Sequence, residues 1–188
     1  LMITSITPLR VSLFGGGTDF PEYFKSKPAT IIGGSIDKFI YISIIKKNSK
    51  ITKKKIKLFY RLKEEVKKIS DIKHNVIKKA LELYDLKDNV EIHISSDLPS
   101  YSGLGSSSAV VVACLTAYLR YFQVDLNNYE IAKAAYQIER INAKLQGGRQ
   151  DQIASVYGGL NFISFGSFVF NPGCKWSLVI IFFIKLSS

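Results

Sequence analysis

The sequence predicts an α+β fold, because strand-like and helix-like segments both occur and neither dominates. Segments rich in Ile, Tyr and Phe recur at strand length through the first half of the chain. Stretches with helical apolar spacing lie among and after them, one of them apolar on nearly every face. A glycine–serine loop, between a strand and that apolar helix, joins the two kinds of element.

Taken in order, Ile3 to Phe14 reads as a strand, and Gly15-Gly16-Gly17 with Thr18-Asp19 as a sharp loop. Within Thr30 to Ile45, the run Lys38 to Ile45 has the composition of a long strand, and Ile56 to Arg61 of a third. Between Ile72 and Tyr84, the positions of Val76, Ile77, Ala80, Leu81 and Tyr84 mark an amphipathic helix. Val90 to Ser95 is a strand and leads into the loop Pro99-Ser100-Tyr101-Ser102-Gly103-Leu104-Gly105-Ser106-Ser107-Ser108-Ala109. The helix that follows, Ser107 to Phe122, carries Val110, Val111, Val112, Cys114, Leu115, Tyr118, Leu119 and Phe122, a pattern that suits burial between layers.

After a turn at Asp125 to Asn128, with Asn127 or Asn128 as N-cap, a helix from Tyr129 to about Leu145 is expected. It aligns Ile131, Ala134, Ala135, Ile138, Ile141 and Leu145 on one stripe. At about 100° per residue, Glu139 falls on the border of that stripe and Arg140 opposite it, facing water. Gly147-Gly148 ends the helix, and Asp151 opens a short one from Gln152 to Tyr157. Leu160 to Phe165 is the final strand expected. Gly166 to Ser188 has no clear period and ends on an apolar run with no visible partner.

At 188 residues, with 47% hydrophobic and 12% aromatic content, the chain can bury a proper core. Its formal charge of +11 is local. Lys46 to Lys79 holds 14 Lys/Arg against 3 Asp/Glu, and the remainder has 12 of each. With no Arg–aromatic interleaving beyond Phe59-Tyr60-Arg61, a solvated surface explains the segment better than a nucleic-acid site. Cys114 and Cys174 form neither a disulfide framework nor a metal pattern. No basic, apolar leader opens the chain, and Leu178 to Ile184, at seven residues, is too short to span a bilayer. A cytoplasmic protein without membrane partners is the expectation.

The loop suits an anion. Gly103 and Gly105 permit tight turns, and Ser106 to Ser108 place hydroxyls and backbone N–H groups at a helix start. It lacks the Lys of the common P-loop, so positive charge has to come from elsewhere. Arg10 lies mid-strand, either facing solvent or standing beside phosphate oxygens. Asp19 either closes a turn or holds a hydroxylated substrate. Glu139 is a surface residue or a Mg²⁺ carboxylate. Asp151 is an N-cap or the group that orients an attacking hydroxyl. His74 and His93 offer no catalytic pairing, and His93 alternates with Ile92 and Ile94 onto the outer strand face.

Pro99 to Ala109 resembles the central motif of the GHMP small-molecule kinase superfamily, Pro-x-x-x-Gly-Leu-Gly-Ser-Ser-x-Ala. Pro8, Arg10, Val11, Leu13, Gly15 and Asp19 resemble its N-terminal motif, and Gly147-Gly148-Arg149-Gln150-Asp151-Gln152 with Gly158-Gly159 its catalytic region. The resemblance covers about residues 2 to 165, and Pro8 to Asp19 is most similar to kinases of D-glycero-D-manno-heptose 7-phosphate. It implies the N-terminal lobe of such a kinase over residues 1–165, a ribosomal protein S5 domain 2-like mixed sheet packed by helices. Residues 166–188 are then an atypical tail, and the family's C-terminal lobe is missing. The resemblance further implies ATP and Mg²⁺ as cofactors and a sugar phosphate as partner. Pro99 and Gly103, Leu104, Gly105, Ser106, Ser107 and Ser108 would bind nucleotide, with Ser107 and Glu139 on the metal. Asp151 and Arg10 would be catalytic, and Gly15, Gly16, Gly17, Thr18 and Asp19 would hold the sugar. The alternatives are a truncated, catalytically silent nucleotide- or sugar-binding lobe and a nucleic-acid-binding S5-like module.

Overall fold

The computed structural model describes residues 1–47, 56–83, 89–99, 102–165 and 180–184. Tyr84, Ser100, Tyr101, Cys174, part of the basic segment (48–55) and most of the tail lie outside these residues.

Strand β2 (Ala29–Lys46) organises the sheet because it is long enough to serve three partners. Along one edge it pairs antiparallel with β1 (Met2–Phe14), from Met2 opposite Ile45 to Phe14 opposite Ile32. Its other edge is divided. Residues 40–46 pair with β5 (Val90–Ser96), and residues 29–34 pair with β6 (Leu160–Phe165), both antiparallel. Strand β3 (Ile56–Phe59) runs parallel to β5 and pairs antiparallel with β4 (Lys63–Val66), so the sheet is mixed. The expected tail without a partner is corrected at one point: β7 (Ile180–Ile184) pairs antiparallel with β6, where its backbone N–H and C=O groups find partners.

Alternation decides which face is covered. Ile40, Ile42 and Ile44 of β2, Val90 and Ile92 of β5, and Ile56 and Leu58 of β3 are all buried on one side. Against them lies α3 (Ser106–Tyr121), whose Val111, Val112, Cys114, Leu115 and Tyr118 are also buried. This is why its apolar residues run round the helix: it has the sheet on one side and other helices on the other. Helix α2 (Asn75–Glu82) contributes Ile77, Ala80 and Leu81 to the same core, and the Tyr118 hydroxyl donates to the Leu81 carbonyl. On the uncovered face His93 stacks on Phe59, as its outward alternation predicts.

Several boundaries differ from expectation for local reasons. Helix α2 begins at Asn75 rather than Ile72, after a 3₁₀ turn at Ile69–Asp71. Buried Glu64 on β4 accepts from the Lys73 and His74 N–H groups and from the Tyr60 hydroxyl, and His74 Nδ1 caps the helix at the Ile77 N–H. Burial would raise the Glu64 carboxyl, but these donors outweigh it and hold it below the usual carboxylate value. The short helix α1 (Pro21–Phe24) and strand β4 have no counterpart in the sequence reading. Helix α4 (Asn128–Tyr136) has the expected cap at Asn127, completed by Glu130 as a capping box. It then changes character. Gln137–Asn142 is a π-helical turn, which shifts the phase of everything after it and leaves Ile141 and Leu145 exposed rather than on the apolar stripe. Helix α5 (Gln150–Tyr157) starts with Arg149 as N-cap, so Asp151 sits inside the first turn and is not the cap.

Candidate active site

The site lies where β1, the start of α3, the π turn and the start of α5 meet. The β1–β2 register shifts between Pro8 and Arg10, and such an irregularity re-aims side chains. Arg10 is therefore not a solvent-facing edge residue: its side chain is 12% exposed. Its backbone N–H donates to the Leu104 carbonyl at 3.1 Å and its Nη1 to the Gly103 carbonyl at 2.9 Å. The glycine loop is thus anchored to the strand edge by Arg10.

Gly103 and Gly105 have φ of +74° and +73°, the left-handed region, and Gly105 is the N-cap of α3. A Cβ at Gly105 would stand 3.2 Å from Arg10 Nε, so the absent side chain also makes room for the guanidinium. Leu104 packs partly buried against the core, while Pro99 is exposed and no described contact brings it to the site.

Arg10 Nε and Nη2 both reach Asp151 Oδ1, at 2.7 and 2.6 Å. The second oxygen, Oδ2, is left with Arg140 Nη2 at 3.9 Å. Glu139 is fully buried, and Ser107 and Ser108 at the start of α3 donate to its two oxygens at 2.8 and 2.6 Å. Gln152 Nε2 adds a third donor at 2.7 Å. The π turn explains both Glu139 and Arg140. The sequence reading sends Arg140 to water, but the widened turn brings it inward, with a side chain 9% exposed.

On the opposite side, Thr18 closes the glycine turn by donating through its N–H and its hydroxyl to the Gly15 carbonyl. Gly16 and Gly17 are exposed at its tip. Asp19, 1% exposed, accepts from the Gln150 N–H at 2.9 Å and from Gln150 Nε2 at 3.3 Å. A Cβ at Gly148 would overlap the Asp19 carboxylate, and one at Gly147 would overlap the Arg140 guanidinium. The sequence reading assigns no role to Arg140, Gln150 or Gln152; it takes Gly147-Gly148 as a helix end and, with Gln150 and Gln152, as part of the motif that resembles the family's catalytic region. The glycine pair was the available signal, since glycine also marks close approach.

The donor set fits a magnesium ion. Glu139 and Ser107 offer one carboxylate and one hydroxyl from separate elements, and no group of three His, Cys, Asp or Glu exists among the described residues. Mg²⁺ commonly takes one or two carboxylates and completes its shell with phosphate oxygens and water. Among the described residues no helix is long and apolar enough to cross a membrane.

Comparison with known proteins bears on the family and the fold. Residues 72–159 match the family model described as the GHMP kinases N terminal domain. The chain is 34% identical over 171 residues to the D-glycero-alpha-D-manno-heptose 7-phosphate kinase of Campylobacter jejuni, covering 87% of this chain and 50% of that protein. It is 32% identical over 178 residues to the mevalonate kinase of Saccharolobus solfataricus, covering 88% and 52%. A crystal structure of a D-glycero-D-manno-heptose 1-phosphate kinase from Bacteroides thetaiotaomicron superposes with a TM-score of 0.85 at 29% identity, over 100% of this chain and 61% of that one. The two heptose kinase names agree on the sugar and differ on the phosphate position. The chain spans about half the length of the curated relatives it matches.

Proposed function

From a chain that belongs to the GHMP kinases through its N-terminal domain, we propose the ATP-binding portion of a sugar kinase. Its acceptor is D-glycero-D-manno-heptose 7-phosphate, and the hydroxyl phosphorylated is the anomeric one. The observation that carries this reading is the Arg10–Asp151 pair set beside the left-handed glycine loop that opens α3.

The loop from Gly103 to Ser108 presents the free N–H groups of a 16-residue helix to an anion, which suits the phosphates of ATP. Arg10 faces the same loop and supplies the positive charge that a P-loop Lys would bring. Ser107 and Glu139 would hold Mg²⁺. When bound, that ion neutralises charge across the phosphate oxygens. Gly15 to Asp19 border the acceptor side, with exposed Gly16 and Gly17 leaving backbone N–H groups open to a sugar or its phosphate.

In the transfer, the sugar hydroxyl oxygen bonds to the γ-phosphorus, the bond from that phosphorus to the β–γ bridging oxygen breaks, and ADP leaves. The hydroxyl proton departs toward Asp151. Because Oδ1 of Asp151 is occupied by Arg10, Oδ2 is the oxygen left to accept the hydroxyl. Alignment and charge stabilisation account for most catalysis of this kind.

The test is ADP release in the presence of ATP, Mg²⁺ and D-glycero-D-manno-heptose 7-phosphate. Asp151→Ala should lower the rate by about a thousandfold, within the usual range for a positioned acid–base group. An unchanged rate would overturn the role of Asp151. Nucleotide binding without any transfer would identify a nucleotide-binding lobe instead.

A further inference from the structure

The proposed function gives the buried Arg140 no role. Arg140 is drawn inward by the π turn, and each of its three nitrogens is engaged within the site. Nε donates to the Gly148 carbonyl at 3.4 Å, Nη1 to the Gln146 carbonyl at 2.6 Å, and Nη2 to Ser108 Oγ at 3.4 Å. Nη1 also stands 3.5 Å from Glu139 Oε1, and Nη2 stands 3.9 Å from Asp151 Oδ2. With three of its five N–H groups on protein acceptors from three segments, Arg140 is well placed to hold two carboxylates and a loop in one geometry.

The loop itself is the second observation. Gly147 leaves no room for a Cβ against Arg140, and Gly148 leaves none against Asp19. The backbone at these two residues is therefore a spacer one peptide thick, with Arg140 on one side and Asp19 on the other. Directly beyond it, the Gln150 N–H fixes Asp19. The contact runs unbroken from Glu139, through Arg140 and the Gly147-Gly148 backbone, to Asp19.

We propose that Arg140 is a positioning residue that clamps the Gln146–Gly148 backbone and thereby sets the separation between the metal-side carboxylate Glu139 and the acceptor-side carboxylates Asp19 and Asp151. The clamp rests on the kinase reading for its purpose and on the contacts alone for its existence. Phosphoryl transfer makes that separation matter, since a misplacement of about 1 Å can cost about a hundredfold in rate.

The experiment uses the full chain, wild type and Arg140→Lys, with two readouts. Lysine keeps the charge but offers a point ammonium in place of the fork, so it cannot reach Gln146, Gly148 and Ser108 together. Hydrogen exchange at the Gln150 amide should accelerate at least tenfold, while amides in α3 keep their protection. In the ADP-release assay kcat should fall roughly thirty- to hundredfold with KM for ATP changed less than about threefold. Gly148→Ala, which pushes the same loop from the Asp19 side, should accelerate the same amide. The clamp is overturned if Gln150 exchange and kcat both stay within twofold of wild type. A uniform rise in exchange across the protein also overturns it, since Arg140 would then support the fold in general. If wild type transfers no phosphoryl group, the kinase reading fails, and the Gln150 amide still decides whether the clamp exists.

Discussion

Replacing Arg10 by Met and Asp151 by Asn, singly and together, measures the contact on which the site is centred. Arg10 Nε and Nη2 lie 2.7 and 2.6 Å from Asp151 Oδ1, with the side chains 12% and 18% exposed. At an effective dielectric of about 20, unit charges about 2.7 Å apart attract by roughly 6 kcal/mol before desolvation. Desolvation offsets most of that. Exposed pairs couple by about 0.2–1 kcal/mol, and breaking a buried pair costs about 3–5 kcal/mol. The intermediate exposure here places the coupling near 2 kcal/mol. Arg10→Met alone should cost somewhat more, because the Gly103 carbonyl also loses its donor. The increment is limited, because Arg140 at 3.9 Å still faces the remaining carboxylate. Urea unfolding of the four proteins at pH 7 gives the cycle directly. A coupling below about 0.5 kcal/mol, the scatter expected of independent sites, would refute the argument that this pair fixes the glycine loop to α5.

Two further outcomes follow from other parts of the fold. Gly15→Ala should destabilise the chain by about 2 kcal/mol or more in the same unfolding assay, because φ is +78° and the new Cβ would overlap the Thr30 carbonyl oxygen. Stability should also fall on acidification from the Glu64 latch. Its folded carboxyl lies below the unfolded value of 4.5, so its contribution is full above that value and is lost as pH drops through the folded one. Burial likewise depresses His74 from 6.5, which adds a loss beginning below that pH, and Glu64→Gln with His74→Ala should flatten the profile measured by thermal unfolding from pH 7 to 3.

The elements legible in the sequence are those in which strand or buried-helix composition runs unbroken between loop signals. β1, β5, β6 and α3 fall within a residue or two of expectation: β5 and α3 fill the main core, Ile163 and Phe165 of β6 enter a second cluster with Phe24 and Ile31, and β1 turns Ser5, Thr7 and Leu9 inward. The α4 region was not legible in this way. Its stripe, carried at a constant angle through Glu139 to Leu145, loses that angle at the π turn, which faces Glu139 and Arg140 inward together. Likewise, β4 and the 3₁₀ turn depend on buried Glu64 collecting donors from residues nine and ten positions away, a contact that no local pattern encodes.

The sequence alone determined the chemical inventory. It contains a Lys-free glycine–serine loop before an apolar helix, an arginine in the first strand, and carboxylates at Asp19, Glu139 and Asp151. Residue type and local backbone preference are enough for that, since glycine tolerates positive φ and a buried helix must be apolar all round. Tertiary structure decided which of these groups meet. Arg10 and Asp151 are 141 positions apart and Asp19 and Gln150 are 131 apart, and the sheet register with the packing of α5 against β1 brings them into contact, while a widened helical turn adds Glu139 and Arg140. The physical reason is that local pattern fixes the direction of a side chain only while the helical or strand period holds, and the partners here are joined across the places where it changes.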